Sequence, residues 1–597
     1  MIGHLRVDGP PDEALLRRAL AAVPYPTPDV TLRSVGNATV GIATRPGFID
    51  ESISAPGSLI AALSGRLDNA HELLADPSIA KRAPANPTSA DVAVAAFRAL
   101  GVDAVQRFRG AFSGVVTNGK DFWWFRDHVG FKALFFRDDA RGIIAAGDPR
   151  QVLVAAQLPE EPNLAVVEGM YEGGLPSSAP ATYVGVRRLA QGSHGARDAG
   201  GGIILTRYWT PWVHFEKGRF TAEEASAEFL RLLERAVHRT MTGNDLVLLS
   251  GGLDSPAVAA YAAPEHLRRS NKPLGALSAV FPDLPKVDES VLIELTAKRF
   301  GMDLHTYRPQ AKALDDVEEW SRRLGSPVPT LSIPEVYEAY ALARSYGYSN
   351  VLTGEFAELT YGKYPHLLSH LLFKGRWITL WRMIQSEHRR ARTSRRDLVF
   401  DALMGFVPGR FANRVFVRRG QNSAEQIPSW VPDGVFDPGL PRPDLLPPGP
   451  QRFRNLQLWG FDGCTVTMDA DATTAAIAGV TIRRPLADVD LWEFFLSLPP
   501  EVKFPTQEWK SLAKRALRGV IPDEIVDRRG KTFFDSHVES QIDYPLLERL
   551  LTAPRHKISG INYDDIARRI RQRDLTLLDW MSLREVARVH AFLNAWP

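Results

Sequence analysis

One junction in the middle of the chain restricts the fold more than any other segment. The apolar run Leu246–Leu249 predicts a buried strand, Ser250-Gly251-Gly252 predicts a sharp turn, and a helix is expected from about Asp254. Strand and helix patterns then alternate, with further strands predicted at Leu277–Phe281, Leu304–Tyr307 and Asn350–Thr353. Because this alternation is typical of parallel sheets covered by helices, the sequence predicts an α/β fold here.

The turn itself has the composition of an anion-binding loop, which reads Leu249-Ser250-Gly251-Gly252-Leu253-Asp254-Ser255. Two glycines let backbone N–H groups approach an anion, and we expect Asp254 and Ser255 to cap the following helix. The helix N-terminus then favours a phosphate, and the Asp254 carboxylate suits a Mg²⁺ ion carried by that phosphate. The alternative is an ordinary strand–turn–helix corner. The full string at the end of a buried strand favours nucleotide binding.

The loop resembles that of the pyrophosphatase-type ATP-binding enzymes, which split ATP between the α and β phosphates. The GxxxxGK[ST] pattern of γ-phosphate-binding loops does not occur in this string. The resemblance therefore implies that ATP adenylates an acceptor.

The first 210 residues have a different pattern, in which short strands are separated by hairpin turns such as Asn118-Gly119. The predicted strands include Thr39–Ala43, Phe112–Thr117, Phe122–Phe125, Ala133–Phe136 and Gly142–Ala146. We therefore predict two domains, residues 1–210 and residues 211–597, the second consisting of the parallel sheet and a mostly helical C-terminal part.

Composition and charge indicate which partners and which cellular compartment to expect. The 597 residues have a net charge of +3, which gives no reason to expect a nucleic-acid partner. The one cysteine, Cys464, excludes an internal disulfide framework and suits a reducing cytosol. No apolar stretch is long enough to span a membrane, and no secretory signal is visible. We expect a cytoplasmic protein with neither a membrane nor a nucleic acid as partner.

Over almost its whole length the chain resembles the asparagine synthetase family. In the first half the resemblance lies in Gly65–Leu73, Ser89–Val92, Gly110–Ser113, Arg126–Leu134 and Arg207–Trp209. It implies that residues 1–210 form a glutaminase-like α/β sandwich of the N-terminal-nucleophile type. Glutamine-dependent members have Cys at position 2, whereas this chain has Ile2, whose alkyl side chain cannot attack an amide. We therefore expect this domain to be a degenerate amidotransferase that releases no ammonia from glutamine.

In the second half, Leu352–Leu359 resembles the family string LSGEGSDE. The resemblance implies that Asp254 and Glu358 hold Mg²⁺ and that Gly354 lies against ATP. Glu355 takes the place of a catalytic residue and would accept a proton from the attacking amine. A structural acid at the end of a strand is the alternative for Glu355.

Three further resemblances assign residues to the nucleotide. Backbone groups of Val280 would meet adenine. Lys510 would stabilise negative charge as the acyl-adenylate reacts, and Arg529 and Lys531 would bind pyrophosphate. Without the resemblance, Lys510 is an ordinary solvated lysine.

The resemblance implies one chemistry with several outcomes, namely adenylation of a carboxylate followed by amide formation. Because ammonia from glutamine is not expected, the amine should belong to the substrate, and tethered groups react faster. We favour a lasso peptide cyclase, which joins an Asp or Glu side chain of a precursor peptide to its N-terminus. The reasons are the chain length, Glu355 in place of the tyrosine of β-lactam synthetases, and the arginine-rich segment Lys374–Arg419.

The expected partners are the precursor peptide and a leader-binding protein and leader peptidase of the same pathway. A β-lactam synthetase-like small-molecule cyclase, an ammonia-dependent asparagine synthetase and a non-enzymatic ATP-binding scaffold remain open. A tRNA-modifying ATP-loop enzyme is disfavoured because those enzymes commonly use paired cysteines.

Overall fold

The computed structural model describes most of the chain, including both regions that carry the sequence motifs. The described residues are 1–45, 50–170, 181–198, 200–330, 332–362, 367–391, 393–407, 465–505, 508, 510–528, 537, 540–558, 561–575 and 577–596.

Two six-stranded antiparallel sheets form the N-terminal part. The strands are β1 (Ile2–Arg6), β2 (Asp29–Val35), β3 (Ala38–Thr44), β4 (Glu51–Ile53), β5 (Ile60–Gly65), β6 (Phe112–Thr117), β7 (Phe122–Arg126), β8 (Phe135–Asp139), β9 (Gly142–Ala146), β10 (Arg187–Arg188), β11 (Ser193–Arg197) and β12 (Ile203–Arg207). The first sheet has the order β10-β8-β9-β1-β3-β2 and the second β12-β11-β7-β6-β5-β4. The helices here are α1 (Glu13–Ala21), α2 (Ala70–Leu74), α3 (Pro77–Ala80), α4 (Ser89–Leu100), α5 (Pro149–Ala156) and α6 (Leu164–Gly169), with a 3₁₀ helix at Gly101–Arg107.

The two sheets pack face to face around one apolar layer. Val40 of β3 and Phe136 of β8 meet Val115 and Trp124 of the opposite sheet there, and all four are fully buried. Gly195 is required by this packing, because a Cβ atom there would lie 2.1 Å from the Trp124 ring. Helices α1 and α5 cover the outer face of one sheet and α4 covers that of the other. The predicted α/β sandwich is therefore confirmed.

A five-stranded parallel sheet forms the centre of the second half. Its strands are β13 (Asp245–Leu248), β14 (Gly275–Ala279), β15 (Asp303–Tyr307), β16 (Asn350–Leu352) and β17 (Thr481–Arg483), in the order β15-β14-β13-β16-β17. All neighbouring strands pair in parallel, as the strand and helix alternation predicts. Strand β13 is central, so the loop after it emerges in the middle of the sheet edge.

Helices cover this sheet and extend beyond it. They are α7 (Ala222–Thr240), α8 (Asp254–Ser270), α9 (Ser290–Phe300), α10 (Val317–Leu324), α11 (Ile333–Ser345), α12 (Ala357–Tyr361), α13 (Leu367–Phe373), α14 (Trp377–Ala391), α15 (Arg395–Met404), α16 (Thr465–Ala478), α17 (Val489–Ser497), α18 (Pro500–Lys503), α19 (Ser511–Leu517), α20 (Asp523–Val526), α21 (Tyr544–Leu551), α22 (Tyr563–Gln572) and α23 (Leu577–Asn594), with 3₁₀ helices at Pro211–His214 and Pro485–Ala487. Helices α10 and α21 to α23 share a second apolar core, which is the predicted helical extension.

Two strands differ from their predicted bounds by two residues or more, and one of them is the predicted strand Leu277–Phe281, which lies at Gly275–Ala279. The predicted strand Ala133–Phe136 lies at Phe135–Asp139, because the antiparallel ladder with β9 continues to the turn and pairs Asp139 with Gly142. Hydrophobicity marks only the buried half of such a hairpin strand, so its polar half was missed.

Candidate functional site

Two loops meet at the carboxyl edge of the parallel sheet, where ligands bind in open α/β sheets. One follows β13 and contains Ser250-Gly251-Gly252, and the other follows β16 and contains Gly354. They pass so closely that a Cβ atom on Gly354 would lie 2.6 Å from the Ser255 backbone nitrogen. Gly354 therefore serves the close approach of the two loops, and a side chain here would push them apart.

The backbone amides of the first loop are directed at oxygen atoms. The Ser250 N–H donates to Ser255 Oγ at 2.8 Å, and the Gly251 N–H donates to Glu289 Oε2 at 2.9 Å. Arg528 donates to the Gly251 carbonyl at 2.9 Å and to Glu289 Oε1 at 2.7 Å. The Glu289 carboxylate thus accepts from the Gly251 amide of this turn, and the phosphate-binding role of the turn stays a prediction.

The predicted caps of helix α8 are not formed. The helix begins at Asp254, its N-cap residue is Leu253, and no side chain caps it. The reason is that Asp254 is bonded elsewhere, since its carboxylate accepts from Tyr361 Oη at 2.6 Å and from Lys510 Nζ at 2.7 Å. The pKa of Tyr361 is well above its usual value because the hydroxyl is buried and faces the Asp254 charge.

Asp254, Glu358 and Lys510, three residues predicted for the site, come together. The Lys510 ammonium lies 2.7 Å from Asp254 Oδ2 and 4.0 Å from Glu358 Oε1. The two carboxylates beside this ammonium form an acidic pair, and Mg²⁺ commonly takes one or two protein carboxylates with the phosphates supplying further oxygens. The described residues contain no group of three or more His, Cys, Asp or Glu side chains that could hold a metal alone. The pair therefore fits a Mg²⁺ ion that arrives with a nucleotide.

The backbone is strained at two places in the site. Lys510 has a φ of +57° and Phe356 has a φ of +72°. A left-handed conformation costs a residue with a Cβ atom about 1–2 kcal/mol. Such strain persists where the surrounding structure holds the residue, and it clusters at ligand sites.

Glu355 lies in the second loop but is not a free base. Its Oε2 accepts from Arg484 Nε at 2.7 Å and from Thr353 Oγ1 at 3.3 Å. Arg484 is buried and also bonds Asp471, which accepts in turn from Tyr340 Oη at 2.8 Å. Burial raises the pKa of Asp471 above its usual value although the Arg484 charge opposes the rise. Pairing with Arg484 orients Glu355, whose catalytic role stays a prediction.

The remaining predicted residues divide into three groups. Leu249 and Leu253 are buried apolar supports, and the Leu249 amide is bonded to the Leu277 carbonyl. The Val280 N–H donates to the Tyr307 carbonyl at 2.9 Å, so any contact with a base falls to its carbonyl or side chain. Arg529 and Lys531 lie outside the described residues, as does Cys464.

Sequence reasoning missed three residues that contact the predicted ones. Tyr361, Glu289 and Arg528 bond Asp254 or Gly251. For Arg528 a signal was available, because it adjoins the predicted cation Arg529. Tyr361 lies 107 positions from Asp254, and no local pattern relates the two.

The arginine-rich segment is described up to Val407 and carries both charge and exposed apolar surface. Trp377, Ile378 and Trp381 of α14 are exposed by 62%, 71% and 57%. Exposed cations accompany them at Lys374, Arg382, Arg389, Arg395 and Arg396. We call this surface of α13 to α15 the tryptophan surface.

The fold and the two loops define a nucleotide-dependent synthetase with a glutaminase-like N-terminal part. Residues 228–593 match the Asparagine synthase family, and residues 52–209 match the Glutamine amidotransferase domain family. The chain therefore belongs to the asparagine synthase family, and it is an ATP-dependent ligase that forms amide bonds.

The chain is also similar to individual proteins and to a solved structure. "Asparagine synthetase [glutamine-hydrolyzing] 3" of Bacillus subtilis is 23% identical over 458 residues, which cover 73% of this chain and 69% of the relative. "Carboxyethyl-arginine beta-lactam-synthase" of Streptomyces clavuligerus is 29% identical over 263 residues, 43% of this chain and 44% of the relative. Among solved structures, the glutamine phosphoribosylpyrophosphate amidotransferase of B. subtilis aligns at 10% identity with a TM-score of 0.26, over 59% of this chain and 81% of that one.

Within the part of the chain that the structure describes, no helix is both long enough and apolar enough to cross a bilayer.

Proposed function

We propose that the protein is a lasso peptide cyclase. It adenylates an Asp or Glu side chain of a precursor peptide with ATP and closes a macrolactam with the peptide's N-terminal amine, releasing AMP and pyrophosphate. The observation that carries the proposal is strand β1, which pairs with β3 and β9 and whose five residues, IGHLR, include no thiol or hydroxyl. With no thiol or hydroxyl on this strand to release ammonia from glutamine, we infer that the amine belongs to the substrate.

Each predicted residue of the candidate site has a role in this proposed reaction. The amides after β13, together with Arg528, Arg529 and Lys531, bind the phosphates. Asp254 and Glu358 would hold Mg²⁺, and a bound Mg²⁺ would supply positive charge beside the phosphates. The Lys510 ammonium stabilises the negative charge that develops as the amine attacks the acyl-adenylate. Glu355, oriented by Arg484, accepts the proton that the amine loses.

Tethering explains why no ammonia source is needed. When the carboxylate and the amine belong to one peptide, binding places them together before reaction, and the entropy of bringing two molecules together is not lost in the second step. The site must also keep water from the adenylate, which would otherwise hydrolyse.

The tryptophan surface supports a peptide substrate. Three exposed apolar side chains next to five exposed cations provide more binding area than a small amino acid needs. Aromatic residues and arginines contribute a large share of binding energy in protein interfaces. The surface suits a peptide that carries apolar and acidic residues.

Replacing both tryptophans tests the peptide-binding role. We expect Trp377→Ala/Trp381→Ala to raise the KM for a long peptide substrate about tenfold or more, while the KM for ATP stays unchanged. Steady-state kinetics with a fixed excess of ATP measures both values. The matched control, Leu267→Ala/Val291→Ala, removes exposed apolar side chains from α8 and α9 and should leave both constants at wild-type values. Equal KM values for all three proteins would contradict the role.

A small-molecule cyclase is the second candidate. It is favoured by the 29% identity to a carboxyethyl-arginine beta-lactam-synthase over 263 residues. Such an enzyme would turn over N²-carboxyethyl-arginine and ignore peptides. Glu355, which stands in place of the tyrosine of β-lactam synthetases, and the tryptophan surface favour a peptide over this small-molecule substrate.

The deciding experiment offers both substrate classes to the full-length protein with Mg·ATP. The peptide panel carries a free N-terminus and a single Asp or Glu at successive positions, and an N-acetylated copy of each peptide is the control. We expect one mole of AMP per mole of product, a product lighter by one water, and no product from acetylated peptides. Glutamine should neither stimulate the reaction nor yield glutamate. Cyclisation of carboxyethyl-arginine alone, or glutamate release, would contradict the proposal.

A precursor peptide, a leader-binding protein and a leader peptidase are the proposed partners. Genes for all three beside this one would support the assignment.

A further inference from the structure

An aromatic side chain of the N-terminal part contacts the loop that carries Glu355. The rings of Phe131 and Phe356 meet edge to face, with centroids 5.4 Å apart and planes at 87°. Phe356 directly follows Glu355 and has a φ of +72°. Its ring also packs on Trp492 at 5.8 Å. The strained residue beside Glu355 is thus held from both halves of the chain.

Arg484 connects the same two rings to the Glu355 carboxylate. Its guanidinium carbon lies 5.5 Å from the Phe131 ring centre and 5.9 Å from that of Phe356, both within the range of cation–π attraction. Its Nε donates to Glu355 Oε2 at 2.7 Å. The Arg484 side chain is 5% exposed, so these contacts determine where the guanidinium lies. Moving Phe131 would therefore move a direct partner of Glu355.

The loop that presents Phe131 is built around one carboxylate. Asp127 is fully buried and accepts from four successive backbone amides, at 3.1, 2.6, 3.0 and 3.0 Å, those of Val129, Gly130, Phe131 and Lys132. Hydrogen bonds to a charged acceptor are among the strongest in proteins. The Phe131 backbone is consequently fixed before it meets Phe356.

A second set of contacts joins the N-terminal part to helix α16, which carries Asp471, another partner of Arg484. Arg126, which is fully buried, donates to Asp469 Oδ1 at 2.6 Å, and Arg188 lies 3.5 Å from Asp469 Oδ2. Asp469 is on helix α16, two residues before Asp471, which Arg484 bonds. Helix α16, which carries Asp471, is therefore joined to the N-terminal part through Asp469.

We propose that the N-terminal part serves amide formation as a positioning scaffold, in which Phe131 is a positioning residue that holds Arg484 and, through it, the Glu355 carboxylate. This inference rests on the proposed function, because it places Glu355 in the amide-forming step. A positioning role requires no nucleophile, so a glutaminase-like fold that lacks the nucleophile can fill it.

Hydrogen exchange on the full-length protein tests the scaffold without a substrate. Phe131→Leu removes the ring and keeps an apolar side chain, whereas Phe131→Tyr keeps the ring. We expect the amides of residues 353–357 to exchange at least about tenfold faster in Phe131→Leu and at the wild-type rate in Phe131→Tyr, with strands β13 and β14 unchanged. The control Trp123→Leu removes a partly buried ring that packs on Phe97 within the N-terminal part, and it should leave residues 353–357 unchanged.

The activity test uses the panel peptide that gives the most product. The ratio of AMP to cyclised peptide should rise from about one to about three or more in Phe131→Leu, because an adenylate that waits for a misplaced Glu355 is hydrolysed. Phe131→Tyr should restore the ratio. A variant that only lost stability would lower AMP and product equally and keep the ratio at one. An unchanged ratio or unchanged exchange overturns the scaffold, whereas absence of AMP from the wild type overturns the proposed function instead.

Discussion

Replacing Asp254 with asparagine should reduce peptide-dependent ATP–pyrophosphate exchange by about 1000-fold, a loss of about 4 kcal/mol of transition-state stabilisation. Asparagine has the same shape, and its Oδ1 can still accept from Tyr361 Oη, but its Nδ2 cannot accept from Lys510, so the negative charge and that ion pair disappear. Without that charge the acidic pair is reduced to Glu358, so the proposed Mg²⁺ site would lose one of its two protein carboxylates. Exchange of labelled pyrophosphate into ATP measures the loss.

Two controls separate this effect from damage to the fold. Asparagine at the first position of α8 is as compatible with a helix start as aspartate, so the melting temperature should stay within a few degrees of the wild type. Asp283→Asn removes a different carboxylate, one that is largely exposed and faces Arg308, and should leave exchange unaffected. If Asp254→Asn exchanged pyrophosphate at the wild-type rate, the metal assignment of Asp254 would be wrong.

Lys510→Met should retain ATP binding and lose amide formation by about 100-fold to 1000-fold, the range for removing a group that stabilises charge in the transition state. Methionine keeps an unbranched, largely aliphatic stem, lacks only the terminal ammonium position and has the same cost of a positive φ, so the change isolates the ammonium. Single-turnover measurement of cyclised peptide, beside equilibrium binding of ATP, separates the two effects. Lys298→Met, an exposed lysine on α9, is the matched control.

The same variant has a second expected effect of opposite sign. In the absence of nucleotide, the Lys510 ammonium lies between Asp254 and Glu358 at 2.7 and 4.0 Å. Removing it takes away one positive charge that lies beside both carboxylates, so Lys510→Met should bind Mn²⁺ more tightly than the wild type. Titration of free Mn²⁺ by electron paramagnetic resonance detects this directly. Weaker Mn²⁺ binding by the variant would show that the two acids do not form one cation site.

The elements around the candidate site could be predicted because each has a local cause. A run of four apolar residues followed by a serine and two glycines favours a buried strand and a turn, and β13 with its loop follows that pattern. The parallel sheet follows from the alternation of strands with helices. Predictions failed where hydrophobicity carried no signal, as in the polar half of β8, or where a side chain had a better partner than the local one, as Asp254 has in Lys510.

What the sequence by itself determined is the set of elements and the chemical types at the loop, namely two glycines, an acid and the turn that joins strand to helix. Only the tertiary structure decided that Lys510 meets Asp254 from 256 positions away, that Arg528 bonds Gly251, and that Phe131 contacts Phe356 across the two halves. The physical reason is that backbone propensity and hydrophobic period act over a few residues. Contacts between distant side chains depend instead on how complete sheets and helices pack against one another.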